Sequence, residues 1–143
     1  MGKQSGRKVL VVAALITWVL VVRILTACSV EKDDLEKVRD LEFTVVGEDD
    51  LPEELKNVIG EKKQAPFKLT YTDEQNLYIV IGYGEQQSGG YSILVRELYL
   101  TENAIVADTE LNGPEAGEQT GAEKSYPYIV IKTEYLEEPV IFQ

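Results

Sequence analysis

The sequence predicts an α+β domain, mainly antiparallel β-sheet or sandwich with one amphipathic helix, and three observations carry that prediction. From residue 41 onward, short segments rich in β-branched and aromatic residues recur between turn-forming residues, the pattern of strands on a pleated surface. Only the segment 51–60 spaces its apolar residues helically, with Leu51, Leu55, Val58 and Ile59 at i, i+4, i+7 and i+8. The connections are short apart from a glycine-rich one after Ile81 and a longer one at 112–124.

Residues 1–28 read as a targeting segment outside the fold. A basic start (Lys3, Arg7, Lys8) leads into an apolar run at 9–22 broken only by Thr17, too short for the ~20 residues of a spanning helix. Leu25-Thr26-Ala27-Cys28 resembles the lipobox of bacterial lipoproteins, which implies cleavage before Cys28, lipidation of its sulfur and tethering of the domain outside the cytoplasmic membrane. Arg23 interrupts the apolar run, so an uncleaved signal anchor with Arg23 snorkelling to the outer interface is the alternative. Either way the basic residues stay inside and the domain lies outside. Residues 29–40 are mostly charged and read as a tether that lifts the domain, residues 41–143, off the membrane.

The elements follow in order. Leu41, Phe43 and Val45 alternate with Glu42 and Thr44, predicting a half-buried strand that ends at Gly47. The helix at 51–60 starts with Asp50 as a cap and Glu53 three residues on, tolerates Pro52 in its first turn, and stops at Gly60 with Lys62 and Lys63 near its negative end. Strands at 66–72 and 77–81 are joined by Asp73-Glu74-Gln75-Asn76, whose residues suit a tight turn. After the glycine-rich connection come strands at 91–100 and 104–111, then an irregular, mobile loop at 112–124, a strand at 128–133 and a short last strand at 140–142 that Pro139 places at an edge. Tyr-Ile-Val-Ile occurs at both 78–81 and 128–131; nothing around it repeats, and it reads as shared composition.

Composition narrows the function. Of 14 basic and 25 acidic residues, four basic ones lie in the targeting segment, leaving the remainder near −15. Such a surface repels phosphate backbones and anionic headgroups, which excludes nucleic-acid binding and leaves a neutral or cationic protein partner. The chain has no histidine and a single cysteine, so the commonest general base and the commonest metal ligand are missing, and no internal disulfide forms. The acidic pairs Asp49-Asp50, Glu53-Glu54 and Glu137-Glu138 lack the alternating spacing of a calcium loop and read as solvated faces. No metal, cofactor or catalytic residue is expected. Ser88 and Ser92 have no base to activate them. Gly82-Tyr83-Gly84 with Gly89-Gly90 lacks the lysine and the following helix of a phosphate loop, and glycines that permit a wide turn account for much of its signal.

The stretch Tyr78-Ile79-Val80-Ile81-Gly82-Tyr83-Gly84-Glu85-Gln86-Gln87-Ser88-Gly89-Gly90-Tyr91-Ser92-Ile93, followed by Asn103-Ala104-Ile105-Val106 and Tyr126-Pro127-Tyr128-Ile129-Val130-Ile131, resembles the PrcB C-terminal domain. The resemblance spans about 77–133, with Gly-Gly-Tyr-Ser-Ile as its most specific piece. Gln86-Gln87-Ser88 departs from the proline–threonine pair that such loops carry. The resemblance implies a non-enzymatic lipoprotein module that stabilises or modulates a secreted subtilisin-like protease. A looser similarity to chagasin-type cysteine-protease inhibitors, with Gly90-Tyr91 and Pro127-Tyr128 in their loops, implies peptidase inhibition as the alternative. An extracytoplasmic ligand- or polymer-binding lipoprotein is a third reading. If strands 77–81 and 128–133 are antiparallel neighbours, the loop Gln86, Gln87, Ser88, Gly89, Gly90 and Tyr91 lies beside Tyr126, Pro127 and Tyr128 as one partner-binding surface.

Overall fold

The computed structural model describes residues 35–143. The targeting segment, Cys28 and the start of the tether lie outside the described residues.

Among the described residues, eight strands form two four-stranded sheets. Sheet A holds β1 (Arg39–Asp40), β5 (Ser92–Leu100), β6 (Ile105–Asn112) and β8 (Val140–Phe142), in that order. Sheet B holds β2 (Phe43–Val45), β7 (Tyr128–Glu134), β4 (Asn76–Tyr83) and β3 (Pro66–Thr72). All neighbours are antiparallel except β6 and β8, because the chain leaves β7 in sheet B and returns to the far edge of sheet A, where Ile105 N–H bonds Pro139 O (2.8 Å). The helix α1 (Glu53–Lys62) covers the outer face of sheet B.

This three-layer arrangement explains why β4 and β7 read as continuous apolar runs, since both of their faces are covered. Leu77, Ile79 and Ile81 of β4 and Ile129 and Ile131 of β7 point between the sheets, against Leu98, Ile105 and Ala107. Tyr78, Val80 and Val130 point the other way, against Leu55 and Ile59 of α1. Ile79, Ile105 and Ile131 are fully buried, and each such side chain stabilises the fold by about 1.5–3 kcal/mol relative to exposure. The duplicated tetrapeptides are the two central strands themselves: Ile79, Val80 and Ile81 pair with Ile131, Val130 and Ile129. Their likeness follows from a shared environment.

Both ends of the helix differ from the expectation. Leu51 precedes a proline and is held extended (φ −75, ψ 143), so Pro52 becomes the N-cap and no side chain caps the first turn; the Asp50 cap does not form. Asp50 belongs instead to a 3-10 turn, Glu48–Asp50. At the other end the helix runs past Gly60, because Ile59 is anchored in the core and its carbonyl still accepts the Lys63 N–H (2.9 Å).

The strand expected from Leu41 to Gly47 is confined to Phe43–Val45. Arg39–Asp40, read as the end of the tether, pairs with Leu100 and Tyr99 of β5, and after Leu41 the chain crosses to sheet B to form β2 on β7. Leu41 is buried at the crossing, whereas Phe43 and Val45 are 41% and 55% exposed, not half-buried, because β2 is an edge strand with little of sheet A opposite it. The 73–76 turn forms as its residues predict, with Asp73 Oδ1 accepting from the N–H groups of Gln75 (2.8 Å) and Asn76 (2.7 Å). These two bonds hold the Asp73 carboxyl below its ordinary range. β8 is the edge strand that Pro139 signals.

Candidate functional site

β4 ends and β7 begins at the same edge of sheet B, with Gly82 opposite Tyr128. A Cβ at Gly82 would run into the Phe67 ring of β3, so only glycine lets that ring close over the strand end. Past the register the two chains stay together. Tyr83 N–H bonds Pro127 O (3.0 Å), and Gln86 and Ser125 exchange both backbone bonds (2.8 and 3.0 Å). Ser125 Oγ donates to Ser88 O (2.6 Å), and Gln86 Nε2 reaches Tyr83 O (3.3 Å). The antiparallel ladder thus extends into the loops, which places Tyr83 beside Pro127, Glu85 and Gln86 beside Tyr126 and Ser125, and Ser88 within a hydrogen bond of Ser125.

Charge fastens the same junction. Lys124 Nζ lies 2.9 Å from Glu85 Oε1, and this carboxylate raises the lysine pKa above its ordinary value. Tyr126 Oη donates to the same oxygen at 3.4 Å, and Lys63 at the end of α1 sits over the Tyr126 ring. Both charged groups are exposed, so the pair fixes position more than it stabilises.

The second half of the glycine-rich loop meets the long connection at 113–121. Gly90 has φ +86, and a Cβ there would lie 2.5 Å from Thr120 Cγ2 and 3.0 Å from Pro114 Cβ. Tyr91 is half-buried, with its ring against Gly113. The connection itself is held by turns at Glu115–Glu118 and by a Glu118 carboxylate that accepts the Glu115 N–H (3.0 Å). The side of the sandwich beneath is braced by Tyr83 Oη and Thr109 Oγ1, 2.7 Å apart across the two sheets.

The structure therefore gathers Gln86, Gln87, Ser88, Gly89, Gly90, Tyr91, Tyr126 and Pro127 at one end of the domain. Tyr128 turns to the helix-side cluster, where burial and the nearby Glu48 raise its hydroxyl pKa. Glu85, Gln87 and Gly90 are exposed, while Gln86, Ser88, Tyr91 and Tyr126 are half-buried. Ser88 Oγ points at its neighbour's carbonyl, Gly89 O (3.1 Å). The arrangement offers amides, hydroxyls and aromatic edges, which is the chemistry of a contact surface. Among the described residues, no three acidic, cysteine or histidine side chains converge as metal ligands.

Sequence reasoning missed Ser125, Pro114 and Thr120. Ser125 acts mainly through its backbone, which no side-chain pattern announces, and the packing of Pro114 and Thr120 on Gly90 is long-range. The opposite charges of Glu85 and Lys124, flanking the two loops, were a readable signal. A cleft of about 1030 Å³ opens elsewhere, at the opposite end of β4, lined by Arg39, Leu41, Thr44, Gln75, Lys132 and Glu134. Its Arg39 and Glu134 are bonded to each other at 2.7 Å, and it makes no comparable cluster of loops.

Residues 77–134 match the family described as PrcB C-terminal. That span runs from the first residues of β4 to the end of β7 and contains the whole loop cluster. No curated protein and no solved structure matches the chain.

Proposed function

Taking residues 77–134 as a PrcB C-terminal domain, we propose that the chain is a non-enzymatic protein-binding module that stabilises or modulates a secreted subtilisin-like protease. In this reading the module sits outside the cell, held by lipid on Cys28 or by an N-terminal signal anchor. The observation that carries it is the two-way Gln86–Ser125 bridge, which supports the reading by locking the family's Gly-Gly-Tyr loop to its Tyr-Pro segment. A loop pair held in this way loses little conformational entropy when a partner closes on it. Tyr91 and Tyr126 supply large, rigid contacts with polar tips, and Gly89 and Gly90 let a partner's backbone approach.

A second reading, peptidase inhibition, draws on the same juxtaposition, because two loops at one end of a β-sandwich also suit insertion into a protease cleft. Incubating the full chain in detergent with subtilisin-like and papain-like proteases separates the two. The stabilising role predicts unchanged peptidase activity and a longer protease half-life. Loss of peptidase activity on mixing would establish inhibition, and no effect on either quantity would defeat both. The anchor is tested by Cys28→Ala: lipidation predicts loss of incorporated palmitate and an uncleaved product of higher apparent mass, whereas a cleaved, unlabelled wild type would refute it.

A further inference from the structure

β1 covers only the last part of β5. The N–H groups of Val38 and Leu41 reach the carbonyls of Leu100 (2.8 Å) and Leu98 (3.0 Å), and the chain then departs for sheet B. Beside the rest of β5, no strand lies on this edge among the described residues. The ladder phase shows which groups are free there. Thr101 N–H bonds Ala104 O at the β5–β6 hairpin (2.8 Å), so the backbone groups of Leu100 and Leu98 point away from β6, as their bonds to β1 require. Across the one-residue bulge at Arg96, the next residues whose N–H and C=O point outward are Val95 and Ile93.

The residues that carry these outward groups are apolar. Ile93 and Val95 are only half-buried. Among the described residues, this edge therefore carries unpaired backbone donors and acceptors on residues whose apolar side chains are only half-covered. The other long edge, β3, differs: Pro66 has no N–H to offer, and Lys68 projects a charge, two devices that protect an edge.

We propose that an extended segment of the partner protein adds to sheet A along Ile93 and Val95 as a further strand, in line with β1. Free ladder groups at alternate residues are matched by polypeptide in extended form, and the half-covered side chains of Ile93 and Val95 select apolar side chains at every second position. The described residues carry 9 basic against 22 acidic side chains, which disfavours a second copy and favours a neutral or basic segment. Gly90 and Tyr91 lead straight into Ser92, so a partner seated on the loop cluster reaches this edge without a break. The inference rests on the partner-binding reading for the origin of that strand, while the edge itself is tested alone.

The probe is a short peptide of alternating valine and threonine with a lysine at each end, added to the full chain in detergent, with amide hydrogen exchange followed by NMR. Strand addition predicts exchange at Ile93 and Val95 slowed by at least about tenfold, and loss of that protection when the peptide's alternate backbone nitrogens are methylated on the side that faces β5. Three results would overturn it: no protection, protection at Lys68 and Thr70 of β3 instead, or protection at Ile93 and Val95 that appears without peptide and grows with protein concentration, which would mean a second copy. Substitutions in the loop cluster that abolish protease binding but leave peptide protection intact separate a failure of this inference from a failure of the loop reading.

Discussion

Gly89 and Gly90 are adjacent, both in the candidate surface, and the structure assigns them opposite fates on substitution. At Gly90 the backbone is left-handed (φ +86), and the nearest atoms to an added methyl are Thr120 Cγ2 at 2.5 Å and Pro114 Cβ at 3.0 Å. An L-residue there costs about 1–2 kcal/mol for the backbone alone. The contact with Pro114 adds to this, since that ring has no flexible end to swing aside, although Thr120 lies on a connection that can yield. Gly90→Ala should therefore lower stability by about 1–3 kcal/mol, or displace the 113–121 connection from the loop. Gly89 has no atom within 4 Å of an added Cβ and is not among the positive-φ glycines. Gly89→Ala should be neutral or stabilise by up to about 1 kcal/mol through the unfolded chain. Urea denaturation of the full chain in detergent, read by tyrosine fluorescence, measures both. Equal effects, or a larger loss at Gly89, would refute the packing of the 113–121 connection on Gly90. The pair also serves the functional reading: a Gly89→Ala protein that folds normally but loses protease binding locates contact at the loop and not in its scaffold.

Three further outcomes follow from the fold. Gly60 is exposed and lies inside α1 with open space around a would-be Cβ, so Gly60→Ala should stabilise by about 0.5–1 kcal/mol in the same denaturation assay. Thr101 is 2% exposed; its Oγ1 donates to Ala104 O (3.1 Å) and accepts from the N–H of Ala104 (2.9 Å) and Asn103 (3.2 Å). Thr101→Val should cost about 1–3 kcal/mol, because it strips an acceptor from a buried turn. The lowered pKa of Asp73 contributes stability that is fully present above its unfolded value near 3.8 and is lost as pH falls through the lower folded value. Asp73→Asn keeps the acceptor oxygen but removes the titration, so acid denaturation of this variant below pH 3.8 should show a weaker pH dependence than the wild type.

The fold class was legible because burial leaves period and composition behind it. Residues 66–72 and 140–142 are strands with the expected bounds, and 77–81 and 128–133 are the cores of β4 and β7. Helix termini were not legible, since the cap turned on how Pro52 constrains Leu51 and the stop on how firmly Ile59 is packed, and both are properties of context. The split of 39–45 between two sheets was hidden for a related reason: alternation tells which residues share a face and says nothing about which sheet receives them. The neighbouring positions of the two loops followed from strand direction once β4 and β7 were taken as an antiparallel pair. The hydrogen bonds that lock them run through Ser125 and the backbone, where sequence carries no mark.

In the proposed function, the end of the domain bearing residues 86–91 and 125–127 contacts a secreted subtilisin-like protease. A photo-crosslinking residue placed at Gln87, exposed in the middle of that cluster, tests it most directly against the same residue at Glu102, exposed in the β5–β6 turn at the other end of β5. With the full chain in detergent and a purified subtilisin-like protease from the same source, irradiation should give a covalent complex from position 87 and none from 102. Crosslinking from 102 alone, equally from both, or from neither would contradict the account.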